Sequence, residues 1–233
     1  MYNTLHALFH RPEKGWDPVP NEYAGKYAAV EWSKVNVELL AQLEQKIGGF
    51  KGKRVLDLGG GPGQYSVAFA QRGAEVTWHD ISRNYQRIAQ QHAEAAGVTV
   101  QFSLGYMEEA RKFIAQPFDL VFNRICWYYC KNDWAFARLI YNLVKPGGAG
   151  YIDTNNTAFA NIRGKTRLIY FLNNRFAWKV GHPFPPPGRI ARLLSRYPLD
   201  DITQDYSTGR NDRIFFVKSK INHSIRPHSQ MTN

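Results

Sequence analysis

The stretch from Val55 to Ser66, VLDLGGGPGQYS, carries an apolar strand straight into a loop nearly bare of side chains. A backbone without Cβ atoms lets a ligand approach the main chain closely. Three ligand chemistries compete for such a loop. A nucleoside triphosphate wants Lys and then Ser or Thr after the last glycine; here Gln64, Tyr65 and Ser66 follow Gly63, and that reading fails. A dinucleotide wants its third glycine three positions after the second. Counted from Gly59 and Gly61 that place is Gln64, and Pro62 removes a backbone donor besides. A sulfonium nucleoside has no pyrophosphate to bind, needs fewer amide donors and tolerates Pro62. Two carboxylates complete the pattern. Asp57 precedes the loop, and Asp80 closes the next apolar stretch 23 residues further on.

Those residues need a frame. Leu39, Leu40, Leu43 and Ile47 recur at helical spacing until Gly48-Gly49, and KRVLDLGG then reads as the first strand. A helix from about Gln64 stops at Gly73, and AEVTWHD is the second strand. Ser82 caps the helix that ends at Gly97. VTVQFSLG, FDLVFNRI and AGYIDT read as the third, fourth and fifth strands, with a helix in NDWAFARLIYNLVKPGG between the last two. DDITQDYS and DRIFFVKSK form an antiparallel pair at the sheet edge. Strands alternating with helices of this length predict an α/β, doubly wound, mostly parallel seven-stranded sheet with an antiparallel edge strand.

The motif Asp57-x-Gly59-x-Gly61-x-Gly63 resembles the first motif of the class I S-adenosylmethionine-dependent methyltransferases. The resemblance runs from Val55 to Ile152: Asp80 stands where that family grips the ribose hydroxyls, FDLVFNR is similar to its fourth-strand motif, and LVKPGGAGYI to its approach to the fifth strand. It implies S-adenosyl-L-methionine as cofactor, a methyltransferase activity, and a cofactor site of Asp57, Gly59, Gly61, Gly63, Asp80, Ile81, Tyr106, Met107 and Asn123. One departure stands out: SLGYMEEA puts Tyr106 where many members carry an acid for the adenine amino group. Either the Tyr106 ring lies against the purine or Glu108 reaches back.

The acceptor is chosen by what surrounds the core. Residues 1–50 read as an N-terminal helical lid bearing Tyr23 and Tyr27, residues 51–154 as the cofactor core, and 155–187 as an inserted substrate cap. Residues 188–218 supply the final helix and edge strands, and 219–233 a flexible tail. A hydroxyl acceptor needs a base. His182, in the proline-fixed VGHPFPPPG, is the first candidate, His79 the second, and Asp153 ends the fifth strand, where ligands of open α/β sheets sit. Arg124, Trp127, Asn155, Arg163 and Arg167 are the further candidates for substrate contact.

The net charge of +11 is concentrated, because Asn155–Pro198 holds eight Lys and Arg and no Asp or Glu. That asymmetry suits an anionic small-molecule or saccharide acceptor, methylated on oxygen or nitrogen. It would also suit RNA, with arginines on phosphates and aromatics on bases, or an interfacial helix on anionic lipid, since TRLIYFLNNRFAWKV mixes apolar and cationic residues. A solvated basic face, or a regulatory protein that binds the cofactor without turnover, are the other readings. No run is apolar and long enough to span a bilayer. Cys126 and Cys130 lie four apart in one apolar segment, as a reduced core pair would, which points to the cytoplasm. No metal site is expected, and the oligomeric state is open.

Overall fold

The structure is a computed structural model, and it describes residues 8–157, 164–176, 181–207 and 209–220. The described elements begin with α1 (Asn21–Trp32), α2 (Val37–Ile47), β1 (Arg54–Leu58), α3 (Gln64–Gln71), β2 (Glu75–Asp80), α4 (Arg83–Ala95) and β3 (Val100–Leu104). There follow α5 (Ala110–Phe113), β4 (Phe118–Arg124), α6 (Asp133–Leu143), β5 (Val144–Asn155), α7 (Lys165–Phe176), α8 (Arg189–Leu194), β6 (Leu199–Asp205) and β7 (Asn211–Lys218).

One seven-stranded sheet runs in the order β3-β2-β1-β4-β5-β7-β6. Strands β1 to β5 pair in parallel, and β7 lies antiparallel between β5 and β6. The crossover from β3 back to β4, beside β1, makes the topological switch point, and the crevice beyond the strands' carboxyl ends is where such sheets take ligands.

Both faces are buried, as the parallel strands require. Within β1 and β4 successive residues alternate between two cores. Leu56, Leu58 and Val121 pack under α6 and α8 with Phe136, Ile140, Ile190 and Leu194. Val55, Leu120 and Phe122 pack under α2 and α3 with Leu40, Leu43 and Phe69. A third cluster joins α1 to α4 through Ala24, Ala28 and Ile88.

The caps follow the local sequence. The side chains of Asn36, Ser82 and Asn132 accept from the backbone N–H three residues on, at the starts of α2, α4 and α6. The segment before α1 is tied to the sheet's ligand end: Asp17 accepts from Asn84 N–H (2.9 Å) and from the Ser82 hydroxyl (3.2 Å). Among the described residues no helix is long and apolar enough to cross a membrane. Cys126 and Cys130 are both buried and form no disulfide.

Candidate active site

A cavity of about 1050 Å³ opens over the carboxyl ends of β1, β2 and β4. Its floor is the glycine loop. Gly59 N–H donates to the His79 carbonyl at 2.7 Å, which stitches the loop to β2. A Cβ on Gly59 would stand 2.5 Å from the Cys126 sulfur. Gly61 has φ +51 and open space where a side chain would go, so its bare backbone faces the cavity. Gly63 works differently. At φ +83 it packs against α4, and a Cβ there would meet the Ala89 Cβ at 2.4 Å. It shapes the turn without lining the cavity.

Asp57 and Asp80 both face this space and both are nearly fully buried. The Ser66 hydroxyl donates to Asp57 at 2.7 Å. Desolvation nevertheless pushes the Asp57 carboxyl up to about 7, with the Asp80 charge adding to the rise. Asp80 takes the Gly61 N–H on one oxygen (2.9 Å) and the Ser82 N–H on the other (3.0 Å). Desolvation raises its pKa too, against those backbone bonds. Each of its oxygens keeps a lone pair for a further donor.

At one end of the cavity stand Ile81, Tyr106 and Met107. The Tyr106 ring lies parallel to that of Trp16, centroids 6.3 Å apart, and its hydroxyl donates to the His10 carbonyl at 2.8 Å. Lys131 sits 4.6 Å from the Tyr106 ring centre. Glu108 also lines the cavity, with one carboxylate oxygen accepting the Lys131 N–H. At the other end Tyr23, Tyr27, Tyr85, Tyr128 and Tyr129 form a wall. Tyr23 stacks on Tyr27 (5.9 Å, 12°), and Tyr27 leans on Tyr85 (5.8 Å). Desolvation, then the Glu31 charge, lifts the Tyr27 hydroxyl to about 12, so it is a neutral donor. His182 lies on this rim, edge-on to Tyr129 at 5.0 Å.

Arg124, with Lys131, is one of two Lys or Arg residues of the wall. It pairs with Glu31 of α1 at 3.2 Å and approaches Asp153 at 3.6 Å. Next to it, Ile125 has φ 54, the sole positive φ outside glycine among the described residues. A β-branched residue there is strained, and its N–H is tied to the Asp153 carbonyl at 2.6 Å.

Several sequence candidates stand off the cavity. His79 is fully buried: its Nε2 meets the Tyr106 carbonyl at 3.1 Å and its Nδ1 the Ser103 hydroxyl at 3.0 Å. A carbonyl can only accept, so Nε2 carries the proton and Nδ1 takes the serine's; burial lowers the ring's pKa further. His79 therefore positions the β3 loop and cannot reach an acceptor. Asp153 accepts from Asn211 at 3.0 Å and holds Arg124 from behind, off the cavity wall. Asn123 is fully buried, donating to the Leu58 carbonyl at 2.8 Å. Trp127 is a core residue bonded to Asp133 at 3.0 Å. Asn155 and Arg167 do not line the cavity, and Arg163 lies outside the described residues. The sequence reading passed over Tyr85, Tyr128, Tyr129, Glu31 and Asp17. The WYYC turn holds the missed signal, since one residue of phase separates buried Trp127 from the two tyrosines on the cavity.

Residues 55–148 match the family described as "Methyltransferase domain". Over that span, which is less than half of the chain, the core is similar to a methyltransferase domain. The chain is 33% identical over 123 residues to the Ubiquinone biosynthesis O-methyltransferase of Aeromonas salmonicida, covering 53% of this chain and 52% of that one. It thus spans about half the length of the first curated relatives it matches. In fold it is similar to TehB from Haemophilus influenzae, with a TM-score of 0.61 and 12% identity over 80% of this chain and 63% of that one. N-methyltransferase NodS from Bradyrhizobium japonicum, solved with S-adenosyl-L-homocysteine, gives 0.52 and 12% over 72% of this chain and 79% of that one.

The methyltransferase family uses S-adenosylmethionine, and the residues present fit it. The two buried carboxylates that desolvation drives toward protonation face one cavity, and this cofactor brings an ammonium and two ribose hydroxyls that could satisfy them. The cavity walls hold Asp17, Glu31, Asp57, Asp80 and Glu108 against Arg124 and Lys131, an excess of acid that suits a cationic ligand.

Proposed function

We propose that the protein transfers the methyl group of S-adenosylmethionine to a hydroxyl on an aromatic acceptor. The observation that carries this reading is the tyrosine wall with His182 on its rim. Flat rings stack on tyrosine faces, and the curated relatives are named as O-methyltransferases. An acceptor chosen by its acidic groups gains little from these walls. Arg124 is already held by Glu31 and Asp153, and the described arginines of the basic segment lie elsewhere. The same charge balance disfavours RNA or an acidic saccharide at the mouth.

The cofactor supplies an electrophilic methyl carbon on a sulfonium. The chain's own residues do the rest. Asp57 and Gly59 to Gly61 hold the amino-acid end, and Asp80 accepts the ribose hydroxyls. Ile81, Met107 and the Tyr106–Trp16 pair enclose the adenine, while residues 12–32 close over the top as a lid. His182 would take the acceptor's proton as its oxygen bonds to the methyl carbon and the carbon–sulfur bond breaks, leaving a neutral thioether, because a neutral phenol is a poor nucleophile without a base.

The test is turnover on a panel holding a dihydroxyarene, an acidic saccharide and a short RNA. Methylation of the arene alone is expected. His182→Asn should lower kcat by roughly 10²–10⁴ and leave cofactor affinity unchanged. Tight cofactor binding with no turnover on any acceptor would make the protein a binding module instead.

A further inference from the structure

Separate from the cavity, the cationic segment builds a second feature. Arg175 of α7 and Arg189, Arg192 and Arg196 on or just after α8 surround a notch of about 180 Å³ that Trp134 walls, and no carboxylate lines it. Asp133 pairs with Arg189 at 2.8 Å and offsets its charge, so the net charge of the notch comes from Arg175, Arg192 and Arg196. The field of this notch is therefore strongly positive, in a stretch of 44 residues from Asn155 to Pro198 without one Asp or Glu.

Helix α7 runs beside it. Tyr170 is its buried contact, at 6% exposure. The opposite side is apolar and bare: Leu168 is 60% exposed, Phe171 52% and Phe176 60%. At 3.6 residues per turn, positions 168, 171 and 175 share one face, so Arg175 joins the apolar face to the notch. Trp134, 41% exposed, borders the same region. A soluble monomer leaves a large contiguous apolar patch open only where something covers it.

We infer that α7 and the arginine notch form a docking surface for an anionic lipid bilayer. Leu168, Phe171 and Phe176 enter the headgroup boundary, and the notch holds a lipid phosphate. The paired demand, apolar area together with concentrated cations, is what an interfacial helix meets and what a free phosphate or a folded acidic protein would not require. The placement has a consequence for the active site. His182 on the cavity rim follows Phe176 by six positions, a span of at most about 20 Å of extended chain. Docking would bring the mouth close to the membrane surface. The inference is independent of the acceptor proposed above.

The test is cosedimentation of the full chain with vesicles of phosphatidylcholine alone or with one-third phosphatidylglycerol, at about 0.1 M salt. Binding to the anionic vesicles only is expected. The pair Arg192→Gln and Arg196→Gln should weaken it by roughly thirtyfold, since each cation near a charged surface contributes about fivefold. The triple variant Leu168→Ser, Phe171→Ser and Phe176→Ser should weaken it by roughly tenfold, with thermal melts of both variants unchanged. No binding by the parent protein, equal binding to neutral vesicles, or binding indifferent to both variants would overturn the inference. So would saturation of the notch by inorganic phosphate or a short RNA without any vesicle binding.

Discussion

Substituting Asp57→Asn separates what this carboxylate costs the fold from what it gives a ligand. Asp57 is 3% exposed, and desolvation lifts it from an ordinary value of 3.8 to about 7, opposed by the Ser66 hydroxyl and reinforced by Asp80. Between those two values the folded chain holds a proton that the unfolded chain has released. Stability therefore falls as pH rises through that window, and the full penalty is present above its upper end. Each unit of difference is about 1.4 kcal/mol, which sets an upper limit of roughly 4 kcal/mol.

The amide cannot titrate, and it keeps an oxygen for the Ser66 hydroxyl. The variant should match the parent in stability near pH 4 and exceed it progressively up to pH 8. If half the limit is realised, about 2 kcal/mol, the melting temperature at pH 8 rises by about 4–8 °C in a chain of this size. The assay is thermal unfolding of both proteins across that pH range without cofactor, read as a difference so that other titrating groups cancel. Calorimetry at pH 8 should show S-adenosylmethionine bound about tenfold more weakly by the variant, because a charge-assisted contact to the ammonium is lost. A stability difference that is flat with pH, or a variant less stable at pH 8, would refute the placement of a strained, ligand-awaiting carboxylate under the loop.

Two glycines should part company. Gly63→Ala brings its Cβ to 2.4 Å from that of Ala89 at φ +83 and should cost about 2–4 kcal/mol in denaturant unfolding. Gly61→Ala meets no protein atom within 4 Å and should cost only about 1 kcal/mol, yet weaken cofactor binding at least tenfold by calorimetry. Asp80→Ala should also lower affinity for S-adenosylmethionine and its demethylated product by at least tenfold while leaving NAD unbound. Ile125→Asn, which relieves a φ of 54, should raise stability by about 1 kcal/mol, since Asn tolerates that region.

The glycine-loop end of the cavity could be read from the chain because its residues are local. Asp57 to Gly63 is one continuous turn, and Asp80 is fixed by the next strand at parallel register, Leu58 opposite His79. The same logic fails where side chains converge from separate elements. Tyr27 comes from α1, Tyr85 from α4, and Tyr128 and Tyr129 from the turn after β4, and no spacing along the chain announces that they meet. His79 illustrates a different limit. Beside Asp80 in sequence, it points to the opposite side of β2 by strand alternation, into contacts with Ser103 and Tyr106. Trp127 and Tyr128 differ by one position on a tight turn, and only the fold decides which of them is core.

Charge is unevenly placed in this molecule, and the reason we propose is physical. A net charge of +11 with eight cations in one segment invites the conclusion that the acceptor is an anion. A cavity that must admit a cofactor carrying a sulfonium and an ammonium would be crippled by those cations, since their field would oppose binding. The walls instead carry an excess of acid, with Arg124 neutralised by Glu31 and Asp153. The described cations of the segment gather outside, with Arg175, Arg192 and Arg196 around the notch. An acidic pocket inside a basic chain is a segregation that two different ligands require: a cationic one within, and an anionic surface without. The net charge therefore describes the exterior of this molecule, and the acceptor has to be inferred from the tyrosine wall.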